Sequence, residues 1–179
     1  MKRVVVTGLG ALTPIGNTVQ EYWEGLRSGK SGAAPITHFD AEKFRTRFAC
    51  EVKGFDATQF MDRREIGRTD LFCQYALASA QECVNDTGMN LDTVDKNRIG
   101  VIWSSGIGGL ITLEEQIKNF MGGDGTPRYS PFFIPKMISD MGAGLISIRY
   151  GFRGPNFCTV SACSSSSHGI LDAFNYIRL

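Results

Sequence analysis

Apolar positions in this chain alternate between short β-branched runs and stretches with the three-to-four-residue spacing of a helix. Residues 2–7, KRVVVT, read as a buried strand that runs into Gly8-Leu9-Gly10. Asn17 has the character of an N-cap with Gln20 three residues on. Val19, Trp23 and Leu26 then share a face, and Gly29 supplies the stop. Residues 30–60 are loop-like apart from a short strand near Phe48–Val52. The spacing of Phe72, Tyr75, Ala76, Ala80 and Cys83 predicts a helix over 69–87, ended by Gly88. Residues 98–105, RIGVIWSS, predict a second buried strand leading into Gly106-Ile107-Gly108-Gly109. Thr112 and Glu115 have capping-box spacing ahead of the stripe Leu113, Ile117 and Phe120, and Gly122-Gly123 breaks that helix. Pro135 suits the first turn of a helix over 135–149. Gly142 and Gly144 inside it each cost about 1 kcal/mol relative to Ala, which a close helix contact would explain.

The last segment is the one around which the rest is organised. An apolar run, Phe157 to Ala162, ends on Cys163, and Ser164 to Ser167 follow. A helix then places Ile170, Phe174 and Ile177 on one side and Asp172, Asn175 and Arg178 on the other. It reaches Leu179 without a Gly, a Pro or a polar tail, and a chain cut within or just after an element is the expectation. Strands alternating with helices predict an α/β architecture with no internal boundary or repeat.

Composition narrows the classes of function. With 19 basic and 18 acidic residues the net charge is +1, so the total suggests neither nucleic-acid binding nor an acidic tail. The 21 glycines in 179 residues exceed the usual share of about 7% and imply tight turns or close backbone contacts. Cys50, Cys73, Cys83, Cys158 and Cys163 are odd in number and lack C-x-x-C spacing, against a zinc site or a closed disulfide framework. The first apolar run stops at Val6, too short for a signal peptide or a membrane span, so a reducing cytoplasm is the natural reading. Gly8-Leu9-Gly10 is half of a dinucleotide fingerprint. The third glycine is misplaced, Pro14 breaks the helix entry, and no strand-ending acid lies about 20 residues on. A strand leading into a turn is the better reading.

A thiol between a strand and a helix start sits at the positive end of the helix dipole, among unpaired N–H groups. Those conditions favour a thiolate able to attack a carbonyl or thioester, with a backbone N–H to stabilise the oxyanion. The residues alone leave open whether Cys163 is such a nucleophile or a packing cysteine, as Cys158, Cys73 and Cys83 are read to be. No proton partner is evident. His38 lies in a loop, and His168 is five residues past Cys163, roughly 140° around a helix. Arg63, Arg64 and Arg68 in DRREIGR form a basic cluster, either a solvated surface or a docking patch for an acidic partner.

VVVTGLGALTPIGN, the GIGGL loop, SPFFIP, YGFRGPN and TVSACSSSSHGI together resemble the β-ketoacyl-(acyl-carrier-protein) synthases, the condensing enzymes of fatty acid synthesis, and most of all the type II elongating form. The resemblance implies a thiolase-like fold of two similar α/β halves, layered α-β-α-β-α, of which this chain would be the N-terminal half. It implies a cytoplasmic homodimer, acyl carrier protein as partner, and no cofactor or metal. Cys163 matches the family's acyl-accepting nucleophile, and its N–H one oxyanion donor. Malonyl-carrier protein would lose CO2 and its carbanion attack the Cys163 thioester. Ile107 and Phe133 match positions lining or gating the acyl pocket. Arg63, Arg64, Arg68 and Arg128 fall where the family presents basic residues to its carrier protein. The two catalytic histidines, a lysine and the second oxyanion donor belong to the half with no match here, so the chain alone is expected to be inactive. Two other readings are a polyketide ketosynthase and a non-catalytic synthase-like dimer partner; the second typically lacks the cysteine.

Overall fold

The computed structural model describes residues 2–179. They form two compact units. The smaller comprises Thr7–Asp56 and Ala78–Gly88; the larger comprises the chain up to Val6, Ala57–Leu77 and Met89–Leu179.

In the smaller unit, helix α1 (Val19–Arg27) is capped by Thr18, whose side chain accepts from the Glu21 N–H. Glu21 in turn accepts from the Asn17 N–H at 2.7 Å. The cap lies one residue later than the sequence predicts, Thr18 in place of Asn17, and Glu21 in place of Gln20 reaches back, to the N–H of the residue before the cap. Strands β1 (Ala34–Pro35) and β2 (Phe48–Ala49) pair antiparallel; β2 lies within the segment expected to be extended. The part of helix α3 (Leu71–Asp86) that belongs to this unit anchors the loop before α1. Glu82 accepts from the N–H groups of Ala11 and Val19, each at 2.8 Å, and Asp86 accepts from Leu9 at 2.9 Å. Gly8 is required there: a Cβ on it would lie 2.6 Å from the Cys83 carbonyl oxygen. The glycines of the G-x-G thus serve helix packing.

The larger unit is built on two parallel strands, β3 (Val101–Ser104) and β4 (Asn156–Thr159), paired from Val101↔Asn156 to Ser104↔Thr159. Its helices are α2 (Arg63–Arg68), the first part of α3, α4 (Leu110–Met121), α5 (Phe133–Met137), α6 (Met141–Tyr150) and α7 (Ser165–Arg178). The two-residue period of β3 sets its two faces. Trp103 meets Gly142 of α6, where an added Cβ would lie 2.7 Å from the indole. Ile102 and Ser104 meet Gly169 of α7. Helices therefore cover both faces of the pair, and each packs through a glycine that lets its backbone approach. Gly144 has no such neighbour, so close packing explains only the first of the two helical glycines. Cys73, Ala76, Leu77, Ala143 and Ile146 are buried core.

Asp70, 6% exposed, fixes two helix starts. One carboxylate oxygen accepts from the Phe72 N–H in the first turn of α3 at 3.3 Å. The other accepts from both the N–H and the hydroxyl of Thr112 in α4. Gly109, at the N-cap of α4, has no side chain to do this. Thr112 is therefore buried inside the helix and is not the first member of a capping box. Arg149 of α6 pairs with Glu65 of α2 at 3.0 Å.

Other expectations are corrected. Residues 2–7 are not a buried strand: Val5 and Val6 are 59% and 78% exposed, and none of the described strands pairs with them. A β-branched run favours extended backbone but cannot supply its own ladder partner. The helix expected over 135–149 is divided, because Ile138 is extended (ψ 140°) and the Met137 carbonyl accepts instead from Gly109 at 2.8 Å. The last strand ends at Thr159, not Ala162, since Ala162 turns the chain with φ +50°. On α7, Ile170 and Ile177 are 73% and 52% exposed, while Ser165 and Gly169 are buried. Small residues win the sheet-facing side because the backbone comes so close. Among the described residues no helix is long and apolar enough to cross a membrane.

Asp70→Ala leaves two helix starts and a buried hydroxyl without their acceptor. It should lower unfolding free energy by on the order of 3 kcal/mol, read from the urea midpoint of the complete protein. An unchanged midpoint would contradict this role.

Candidate active site

Because β3 and β4 are parallel and in register at Ser104↔Thr159, the segments that leave them emerge at the same end. After β3 comes the glycine loop. Ser105 Oγ accepts from the Gly108 N–H at 3.0 Å, and Gly108 has φ +82°, a conformation suited to glycine. After β4 come Val160, Ser161 and a single 3-10 turn, Ala162–Ser164, that feeds α7. The two segments touch: a Cβ on Gly106 would lie 3.7 Å from the Ala162 carbonyl oxygen.

Cys163 lies in that turn, and its side chain is exposed. It is placed by an elbow with unusual backbone. Ala162 has φ +50°, the one positive φ at a non-glycine among the described residues. Such a residue persists only where its surroundings hold it. Here Ser165 Oγ accepts from the Ser161 N–H at 2.9 Å and donates to the Ala162 carbonyl at 2.7 Å. The Ser164 N–H donates to the Ser161 carbonyl at 3.1 Å. Ser161 Oγ and His168 Nδ1 are 2.7 Å apart. Thr159 at the end of β4 donates to Asp172 of α7 at 2.9 Å. The exposed thiol thus stands on a rigid turn just ahead of the positive end of a 14-residue helix.

The remaining cysteines differ. Cys73 is fully buried in α3, and burial pushes its thiol up to about 12. Burial also raises Cys83. Cys158 is half-buried within β4. Cys50 is exposed. Among the described residues no group of three His, Cys, Asp or Glu side chains could hold a metal ion.

Beside the glycine loop lies an apolar cavity of about 300 Å³, lined by Ile107, Leu110, Leu113, Met137 and Ile138 together with Gly109 and Ser139. Of the two pocket residues expected from the sequence, Ile107 lines this cavity. Phe133 does not: its ring stacks on Tyr129 at 5.7 Å, and Tyr129 stacks on Phe120. The arginines are exposed and lie on two segments. Arg63, Arg64 and Arg68 are on α2, whose N-cap Asp62 is held below the usual carboxylate range by the Glu65 and Arg64 N–H groups. Arg128 lies in the loop after α4, paired with Asp124 at 3.3 Å. The Arg68 guanidinium stands 4.9 Å over the Phe132 ring, which brings α2 against the segment that carries Phe133.

Sequence reasoning missed Ser161, Ala162 and Ser165 as holders of the elbow. Four consecutive serines announce small side chains, but not which one bonds. Ser161 precedes the bend at Ala162 and lies outside α7, so no helical spacing marks its contact with His168 in the sequence.

Two parallel strands clad by helices, with an exposed cysteine on an elbow at their common end, form part of a thiolase-like fold. A solved ishigamide ketosynthase/chain length factor shares it at TM-score 0.84 and 26% identity, covering 98% of this chain and 44% of that one. A beta-ketoacyl synthase from Burkholderia phymatum STM815 shares it at TM-score 0.81 and 23% identity, covering 99% and 44%. Residues 1–179 match the family model of the beta-ketoacyl synthase N-terminal domain, and the chain belongs to that family. It is 50% identical over 99% of its length to 3-oxoacyl-(acyl-carrier-protein) synthase 2 of Synechocystis sp., and 42% identical over 99% to the protein of that name in Staphylococcus aureus. It spans 42% of the length of each of these two relatives.

In the native protein at pH 8, iodoacetamide should label Cys163 and leave Cys73 unmodified, as read by peptide mass spectrometry. Labelling of Cys73 ahead of Cys163 would contradict the burial described. Cys73 also gives a pH dependence. Its folded value, about 12, lies above the ordinary 9.0, so its contribution to stability is complete below pH 9 and is lost as pH rises toward 12. Cys73→Ala should flatten the fall in unfolding free energy over that window.

Proposed function

We propose that this chain is the N-terminal half of an enzyme that elongates fatty acyl chains by decarboxylative condensation, with Cys163 as the acyl carrier. The observation that supports it most is the exposed thiol on a positive-φ elbow ahead of α7, touching a glycine loop that borders an apolar cavity. Its sulfur attacks the carbonyl of an acyl thioester on acyl carrier protein. The carrier's sulfur leaves and takes up the proton that Cys163 gives up, and the acyl group becomes a Cys163 thioester. Malonyl-carrier protein then loses CO2. The electron pair of the broken carbon–carbon bond attacks the Cys163 thioester carbonyl, forms the new carbon–carbon bond and expels the Cys163 thiolate. The Cys163 N–H is the proposed donor to the oxyanion formed at each attack.

The apolar cavity beside Ile107 suits an alkyl chain, and Phe133 is proposed to line or gate the passage to it. The exposed arginines of α2, with Arg128, suit an acidic carrier protein; a solved type II polyketide ketosynthase is recorded in complex with its acyl carrier protein. The proton-transfer groups that Cys163 lacks would come from the other half of the enzyme. The exposed apolar residues of α7, among them Ile170, Phe174 and Ile177, are surface such a half or a second subunit would cover. The proposed whole is a homodimer, and five free cysteines favour a reducing cytoplasm. A ketosynthase of a polyketide pathway is the second reading, favoured by the fold of the ishigamide protein. Identity of 50% to 3-oxoacyl-(acyl-carrier-protein) synthase 2 of Synechocystis sp. outweighs it. The presence of Cys163 stands against a non-catalytic partner.

The complete protein, incubated with an acyl-carrier protein carrying a fatty acyl chain, should gain the acyl mass on the peptide containing Cys163. Cys163→Ala should gain none, and acylation at another residue would sink the assignment. Reversing Arg63, Arg64 and Arg68 to Glu should raise KM for the carrier-borne substrate about tenfold with kcat little changed, and weaken its salt dependence. An unchanged KM would remove the docking patch.

A further inference from the structure

We infer that His168 is a positioning residue for the nucleophile, acting through Ser161 and not through the thiol. The inference rests on the reading of Cys163 as the acyl-accepting residue. Three of the groups that hold the elbow come from Ser161 itself: its N–H, its carbonyl and its hydroxyl. The N–H is held by Ser165 Oγ at 2.9 Å, and the carbonyl by the Ser164 N–H at 3.1 Å. Both partners are in or next to the turn, so these bonds move with it. The hydroxyl is held at 2.7 Å by His168 Nδ1, one turn further along α7. That bond refers the elbow to the body of the helix. Gly169, the next residue, is the buried contact of α7 with Ile102 and Ser104 of β3. The imidazole is therefore mounted where the helix is fixed to the sheet.

The backbone shows why the tie is needed. Ser161 (φ −151°, ψ 47°) lies outside the helical and extended wells, and Ala162 follows at φ +50°. Two consecutive residues in sparsely populated conformations relax unless side chains hold them. Relaxation at Ala162 would rotate the next residue, Cys163, away from the loop at Gly106. His168 is itself exposed and five residues past Cys163, so its ring serves the thiol from a distance. Either ring state makes the contact: a neutral ring protonated on Nε2 accepts the Ser161 hydroxyl proton, and a ring protonated on Nδ1 donates to the oxygen.

Shape separates this role from simple packing. An Asn side chain sets its amide near the position of Nδ1, whereas Gln sets its amide near Nε2. In the complete protein, His168→Ala should slow transfer of the acyl group to Cys163 at saturating acyl-carrier protein by about ten- to a hundredfold, with KM little changed. His168→Asn should restore most of the rate and His168→Gln should not. Ser161→Ala should lose as much as His168→Ala, and the double variant no more than either. Equal rates in the Asn and Gln variants, additive losses, or a wild-type rate in His168→Ala would each overturn the role. The Asn and Gln comparison decides the matter if the Ala variant fails to fold. Wild-type protein that acylates somewhere other than Cys163 would instead overturn the reading of the site.

Discussion

Everything at the site depends on two four-residue strands lying parallel and in register. An antiparallel pair would send the segments after β3 and β4 to opposite ends. The parallel pair sends both to one end, where Gly106 meets the Ala162 carbonyl and the cavity beside Ile107 opens next to the loop. Parallel strands need both faces covered. The covering helices reach them through Gly142 and Gly169, and the cysteine elbow is the turn that delivers the chain from β4 into one of those helices. Packing of the sheet and placement of the thiol are consequences of one topology.

A second constraint keeps the other wall of the site in place. The α4 helix begins at glycines that can offer no cap. The Asp70 carboxylate, held at the start of α3, supplies it across 42 residues of sequence. The Met137 carbonyl turns aside to hold Gly109. The glycine loop is thereby fixed where it enters α4, and Ile107, its one bulky side chain, lines the apolar cavity beside it.

Local patterns were legible where the backbone obeys them. The helix of 71–86 and the stops at Gly29 and Gly88 follow from spacing and from positive φ at glycine. Patterns failed where a partner distant in sequence decides. Thr112 reads as a cap and is instead the ligand of Asp70. KRVVVT reads as a buried strand and has no strand beside it. Ile170 and Phe174 look like the inward face of α7, but the side that packs is made of Ser165 and Gly169. Cys163 could be singled out from the strand–cysteine–serine–helix order alone. Its elbow could not, because a positive φ at Ala162 is set by hydrogen bonds from Ser165 and around Ser161.

The central claim is that the elbow, the glycine loop and the cavity form one acyl site. A structure of the complete protein with a fatty acyl chain trapped as a thioester tests it directly. The account predicts the acyl carbonyl on Cys163 Sγ, its oxygen directed at the Cys163 N–H, and the alkyl chain running past Ile107 between Leu110, Leu113 and Met137. A chain bound to Cys163 that runs away from Ile107, with the cavity empty, would contradict it.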